Sequence, residues 1–180
     1  MRINCTNRSN LRAYLEDPVG YTTTGRAVYL VASDKVAPHE HYDHRCMIAI
    51  AVDLISCGTI FIPIVIDSVT GVLLDGHHRF AALRKYLSAP FVPSVAVDYF
   101  SDDGVKVSNW RSAEVVTKKD VIKAALTQRL MPVKTSRHIF QQGIGECQLG
   151  IKSLYIYKTK APTKVPIITS ETQLTGYQNA

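Results

Sequence analysis

The chain is short of several features that would decide its class at once. Its four cysteines, Cys5, Cys46, Cys57 and Cys147, include no C-x-x-C spacing; Cys46 and Cys57 fall in an apolar helical pattern and are expected as buried free thiols, which reads as a reducing, cytoplasmic compartment. No uninterrupted apolar run reaches membrane-spanning length, and Met1-Arg2-Ile3-Asn4-Cys5-Thr6 lacks the apolar core of a signal peptide. The expectation is a protein neither integral to a membrane nor exported by that route. No run of like charge is present either: the formal net charge is +6, but Lys and Arg are scattered, a balance that suits anionic ligands as well as nucleic acid. There is no internal repeat. The stretch from Gly145 to Ser153 approaches a P-loop, but Ile151 separates Gly150 from Lys152 and no clear strand precedes it, so it is rejected as one.

What is present is enough apolar residue, 46% of 180, to bury a real core in one domain. The pattern divides into a polar N-terminal arm over 1–25, a folded domain over 26–159 and a polar tail over 160–180. A short helix is expected at Leu11 to Glu16 within a loosely docked arm, and a strand at Ala27 to Ala32. From Asp43 the apolar positions Met47, Ile48, Ala51, Leu54 and Ile55 recur at helical spacing, with Gly58 as the terminating residue. Thr59 to Ile66 is rich in β-branched residues, with Pro63 marking an edge or an irregularity, and Asp67-Ser68-Val69-Thr70-Gly71 turns the chain into a strand at Val72 to Leu74, making a hairpin. A helix over Gly76 to Leu87, strands at Val92 to Tyr99 and Val105 to Trp110, a helix over Thr117 to Gln128 opened by a capping box at Thr117 and Asp120, and a late strand at Leu154 to Thr159 complete the reading.

The most informative segment is Leu73-Leu74-Asp75-Gly76-His77-His78-Arg79-Phe80-Ala81-Ala82-Leu83, a short buried strand that breaks at a glycine into a helix. Free backbone N–H groups and the positive end of the helix dipole meet at Gly76-His77-His78, and Arg79 adds a forked cationic group, so phosphate is the expected guest. A plainer reading makes Asp75 the N-cap of an ordinary helix and the histidines solvated polar residues.

The order of motifs also resembles a known family. Pro38-His39-Glu40, the helix ending at Gly58, Pro63-Ile64-Val65-Ile66-Asp67, Leu74-Asp75-Gly76-His77-His78-Arg79, Val92-Pro93 and Val97-Asp98-Tyr99 together resemble the ParB/sulfiredoxin-like fold. Trp110-Arg111, Thr117-Lys118-Lys119-Asp120-Val121-Ile122 and Pro132-Val133-Lys134-Thr135-Ser136-Arg137-His138 are similar to its free L-serine kinase branch. The resemblance spans about Val36 to Phe140. It implies an α/β (α+β) domain with a mixed sheet, surrounding helices and a ligand cleft at the Gly76 helix start. Sulfiredoxin activity is disfavoured because the Gly76-His77-His78 turn carries no thiol. A chromosome-segregation role is disfavoured because no convincing helix pair follows Phe140.

The activity implied is phosphorylation of free L-serine to O-phospho-L-serine with ATP or ADP, assisted by Mg2+. Gly76, His77, His78 and Arg79 would hold the nucleotide phosphates, Asp75 would orient the metal or its waters, and Glu40 would act as general base. Trp110 and Thr135, Ser136, Arg137 and His138 would hold the amino acid. The second reading is a ParB-like nucleotide-binding protein, or a DNA-processing nuclease or regulator from a mobile element, which would make nucleic acid a partner. Each residue also has a plainer role open to it: Glu40 as a solvated carboxylate, His39, Glu40, His41, Asp43 and His44 as a metal cluster, Trp110 as a core or rim aromatic, and Thr135 to His138 as a basic loop. If Glu40 is not the base, Asp43 or Asp75 is the next carboxylate.

Overall fold

Strands whose side chains are buried on both faces set the centre of the molecule. A computed structural model describes residues 11–15, 17–110 and 115–156. Strand β1 (Gly20–Tyr21), β2 (Ala27–Ala32), β4 (Ile64–Asp67), β5 (Leu73–Asp75) and β6 (Phe91–Val97) form one sheet in the order β1-β2-β6-β4-β5. It is mixed: β4 and β6 are parallel and the other pairs antiparallel. All four residues of β4 are buried, with Ile64 and Ile66 in one core and Val65 in the other. Likewise Leu73 of β5 enters the first core, while Leu74 enters the second. This is the near-continuous apolar run of a strand covered on both sides.

One face is covered by α1 (His44–Cys57), by α2 (His77–Ala81) and by the helical turn Ala82–Tyr86 that continues α2. In that turn the Leu87 N–H reaches the Ala82 carbonyl five residues back, at 3.0 Å, a π-type bond. The other face is covered by α3 (Lys118–Thr127) and by the antiparallel pair β7 (Val105–Asn109) and β8 (Ser136–Phe140). A small pair, β3 (Thr59–Ile60) with β9 (Leu149–Gly150), and a turn of helix, α4 (Ser153–Ile156), close the described chain. Among the described residues no helix is long and apolar enough to cross a membrane.

Local chemistry explains most boundaries. Asp43 caps α1 by accepting from the Cys46 N–H at 2.9 Å, a contribution of about 1 kcal/mol. Gly58 closes the helix with its N–H on the Leu54 carbonyl. Thr117 and Asp120 form the expected capping box of α3. Pro63 separates β3 from β4, but β4 lies inside the sheet rather than at its edge.

Several expectations are corrected. Among the described residues Cys46 and Cys57 are exposed and Cys147 is the buried thiol, because α1 buries only Met47, Ala51 and Leu54 and turns Ile48 and Ile55 outward with the two cysteines. Ser153–Ile156 is helical rather than part of a late strand; residues 157–159 lie outside the described residues, as does the 160–180 tail. At the other end, residues 1–10 are also outside them, but Leu11 is not loosely docked: it is buried in the first core, and its N–H bonds the Val69 carbonyl at 3.0 Å. Arg12 pairs with Asp98. Of the Thr135 to His138 stretch, which the sequence leaves open as a basic loop, Ser136, Arg137 and His138 lie in strand β8.

The extended segment 36–41 is held on the edge of the sheet. The Ala37 N–H donates to the Gly71 carbonyl and the Leu73 N–H to the Ala37 carbonyl, while on its far side Met131 brackets His39 and His41 with two backbone bonds. Gly71 lies at φ +70°, and a Cβ there would sit 2.4 Å from the Lys35 carbonyl oxygen. Gly71→Ala is therefore expected to destabilise by about 1–3 kcal/mol from backbone strain alone, whereas Gly20→Ala, with nothing within 4 Å of the new Cβ, should stay within about 0.5 kcal/mol of wild type. Urea unfolding of the two variants checks this.

Candidate active site

Three segments meet at the carboxyl end of β5: the 36–41 segment, the start of α2, and the approach to β8. The first brings His39 and Glu40, both buried. His39 Nδ1 lies 2.6 Å from the Leu73 carbonyl and Nε2 lies 2.7 Å from Ser136 Oγ. Glu40 Oε1 accepts from the Ser136 N–H at 2.5 Å and from Ser136 Oγ at 2.6 Å, and Oε2 accepts from the Lys134 N–H at 3.1 Å. Lys134 takes a left-handed conformation, φ 58°, which helps turn consecutive backbone donors toward one carboxylate. Burial would push the Glu40 carboxyl upward, but the adjacent His39 ring, 3.6 Å away, and the hydrogen bonds from the Ser136 side chain and backbone outweigh it and hold the group at about 2.

Gly76 breaks β5 into α2. It lies at φ 93°, and a Cβ would come 2.9 Å from Arg79 Nη2 and 3.0 Å from Ile64 Cγ2, so a side chain is excluded by conformation and by space together. Gly76, not Asp75, is the N-cap, and no side chain caps this helix. Asp75 instead pairs with Arg79, Oδ2 to Nη2 at 2.9 Å. Arg79 Nη2 also reaches the Pro63 carbonyl at 3.3 Å, while Arg79 Nε is buried without a protein partner, as is His77 Nε2. Burial, then the facing His39 ring, hold His77 well below the ordinary histidine range. His78 Nε2 accepts from the Asp43 N–H at 3.0 Å, tying the start of α2 to the start of α1.

His138 on β8 completes the wall. Its Nε2 accepts from the Tyr99 hydroxyl at 2.7 Å; burial brings it down to about 3. Burial and the Asp67 charge push Tyr99 upward, so the phenol stays protonated and donates.

These groups surround one cleft of about 380 Å3. Of the residues singled out in the sequence, Glu40, Asp75, Gly76, His77, His78, Arg79, Trp110, Ser136, Arg137 and His138 line it. Thr135 is not among the lining residues; its hydroxyl donates to the Pro132 carbonyl at 2.8 Å within its own turn. Trp110 is a rim residue, half exposed, with the Arg137 guanidinium 4.8 Å from its ring centroid. Arg111 lies outside the described residues. The crowded histidines and carboxylates over 39–44 do not converge: among the described residues no group of three His, Cys, Asp or Glu is placed to hold a metal ion. Sequence reasoning missed His41, Ile50 and Lys134 as lining residues, and missed the burial of His39. A signal for the last was available in the apolar Val36-Ala37-Pro38 that precedes it.

The shifted groups predict an acid-labile fold. His138 is neutral in the native state down to about pH 3, whereas an unfolded chain protonates its histidines below about 6.5, so stability falls as pH drops through that interval. Glu40 adds a second decline: its contribution is complete above about pH 4.5 and is lost toward pH 2. Its full size is on the order of 3 kcal/mol. Urea unfolding at pH 7, 5 and 3 should show stability falling at each step, and Glu40→Gln should flatten the step below pH 4.5 while leaving the histidine-driven step between pH 7 and 5.

Comparison with known proteins follows this geometry. No family model matches the chain. It is 40% identical over 84 residues to the ADP-dependent L-serine kinase SerK of Thermococcus kodakarensis, covering 44% of this chain and 34% of that protein. It is 33% identical over 88 residues to an ATP-dependent L-serine kinase of Staphylothermus marinus, covering 47% and 34%. The chain thus aligns with about a third of the length of the curated relatives it matches. Among solved structures, a free serine kinase in complex with AMP superposes with a TM-score of 0.67 at 18% identity, covering 78% of this chain and 99% of that one. The fold is the one the motifs resembled: ParB/sulfiredoxin-like, in the form taken by free serine kinases.

Proposed function

We propose that this chain is a phosphotransferase that moves a phosphoryl group from ADP or ATP to the hydroxyl of free L-serine, giving O-phospho-L-serine, with the 26–159 segment as the catalytic unit. One observation carries the reading. A buried carboxylate, Glu40, shares a single cleft with a helix start, Gly76 to Arg79, at which two buried side-chain nitrogens have no protein partner. Such nitrogens are costly to bury unpaired and are suited to an anion. The helical run from His77 through Tyr86 directs its backbone N–H groups the same way. The similarity to proteins named L-serine kinases supports the choice of acceptor. Those two relatives differ in donor, which is why both nucleotides enter the proposal.

In this reading the nucleotide phosphates lie against Gly76, His77 and His78, with Arg79 braced by Asp75. Mg2+ would be held by Asp75, whose half-exposed carboxylate at the cleft fits a cation that takes one protein carboxylate plus phosphate oxygens; when bound it supplies neutralisation of phosphate charge. The Arg137 guanidinium, beside Trp110 at the rim, suits the carboxylate of the amino acid. Glu40 receives the acceptor hydroxyl. As the serine O–H bond breaks, its proton passes to Glu40, its electron pair forms the new O–P bond, and the bridging P–O bond of the donor breaks onto the departing nucleotide. A carboxylate held at about 2 is a weak base, which fits a loose phosphoryl-transfer transition state in which the hydroxyl loses its proton late. Its main service is to orient the attacking oxygen while staying ionised across the neutral range.

Incubation with L-serine, Mg2+ and each nucleotide, with O-phosphoserine read by mass spectrometry, is expected to give product with serine and none with alanine. Glu40→Gln should bind nucleotide and serine yet lose about 10²- to 10⁴-fold in turnover. Sequence-independent DNA cleavage without O-phosphoserine would refute the reading. In calorimetry Arg79→Ala and His78→Ala should each weaken nucleotide binding, with the lost charge-assisted contact at Arg79 worth about 1.5–3 kcal/mol.

A further inference from the structure

Ser136 sits between two buried groups and has one proton to give. Its Oγ is 2.6 Å from Glu40 Oε1 and 2.7 Å from His39 Nε2. A carboxylate can only accept, so the serine proton goes to Glu40, and the bond on the other side is completed only if Nε2 brings its own hydrogen. His39 Nδ1 faces the Leu73 carbonyl, which also only accepts. The hydrogen-bond count therefore asks for a hydrogen on each ring nitrogen. The same count applied to Glu40 separates its two oxygens. Oε1 already accepts twice, from the Ser136 N–H and Oγ–H, whereas Oε2 accepts once, from the Lys134 N–H.

We propose that Ser136 and His39 are positioning residues that act on Glu40 and not contacts to the amino acid: His39 donates from both ring nitrogens, Ser136 relays one of those bonds to Oε1, and Oε2 is left as the oxygen that meets the acceptor hydroxyl. The proposal rests on the kinase reading for the identity of the acceptor, but the relay itself does not. His39 is fully buried and lines no part of the cleft, and Ser136, although it reaches the cleft wall, has its one hydroxyl hydrogen committed to Glu40. The ionisable groups facing the pair are His77 and His78 from α2 and His138 from β8, with the His77 and His138 ring centroids 4.5 and 5.6 Å from that of His39. The relay also gives a role to a serine for which the resemblance implies a substrate contact: its hydroxyl bonds the Glu40 carboxylate.

Two measurements test this, one independent of activity. Nitrogen-15 NMR of the wild-type protein at pH 7 should show both ring nitrogens of His39 carrying hydrogen, assigned by loss of the signals in His39→Gln; a His39 ring with one bare nitrogen would overturn the relay whether or not the protein is a kinase. In steady-state kinetics Ser136→Ala should lower kcat for phosphoryl transfer by about tenfold or more while KM for L-serine changes by less than about threefold, the signature of a misplaced catalytic group rather than a lost substrate contact. A raised KM with unchanged kcat would make Ser136 a substrate contact and overturn the proposal. Absence of phosphoryl transfer in the wild type, with both His39 nitrogens protonated, would refute the kinase reading and leave the relay standing.

Discussion

The hydrogen bonds that the Glu40 carboxylate accepts from Lys134 and Ser136 join parts of the chain that are ninety or more residues apart and otherwise belong to different layers. On one side is the 36–41 segment, pinned to β5 through Ala37; on the other is the entrance to β8, which pairs with β7 over the second core. An ionised carboxylate inside a protein is tolerated only when its lone pairs find donors, and here three donors from Lys134 and Ser136 satisfy all but one of the sites, on Oε2. The same contacts that make Glu40 tolerable also fix its position over the cleft, so its cost in solvation and its usefulness as a placed acceptor have one origin.

The second wall is made differently. At α2 the helix begins at a glycine with no side-chain cap, and side-chain nitrogens of His77 and Arg79 are buried without protein partners. The two longer helices, α1 and α3, are capped by side chains, Asp43 and Thr117, so the sequence has the means and does not use them here. Two partnerless side-chain nitrogens opposite a carboxylate whose acceptor sites are largely filled are, in the proposed reading, what an anion and a hydroxyl would meet. Burial keeps His77, His78 and His138 below the ordinary histidine range, so this wall offers neutral donors and acceptors more than positive charge.

How much of this was legible in the sequence depended on whether the signal was local. The α1 limits, the capping box of α3, the β4–β5 hairpin and the Gly76 break are set by residues within a few positions of one another, and each was read from spacing. The burial of Cys147 and the exposure of Cys46 and Cys57 were not, because α1 is covered on one side only and its apolar content does not say which stripe faces the sheet. Strand β8 escaped because Ser136-Arg137-His138 is polar: its inward positions are occupied by a serine and a histidine that hydrogen-bond rather than by aliphatic residues. For the same reason the sequence alone suggests Ser136 as a substrate contact and does not reveal its bond to Glu40. A hydroxyl next to an arginine and a histidine has the chemistry of a binding loop until the fold shows that it points at Glu40.

A crystal structure with L-serine and a non-hydrolysable ADP or ATP analogue tests the central claim most directly, because it places the two walls and the reactants in one frame. The account predicts the terminal phosphate against the N–H groups of Gly76 to His78 and the serine hydroxyl within about 3 Å of Glu40 Oε2, aimed at the terminal phosphorus. A phosphate bound away from α2, or a serine whose hydroxyl faces away from Glu40, would contradict it.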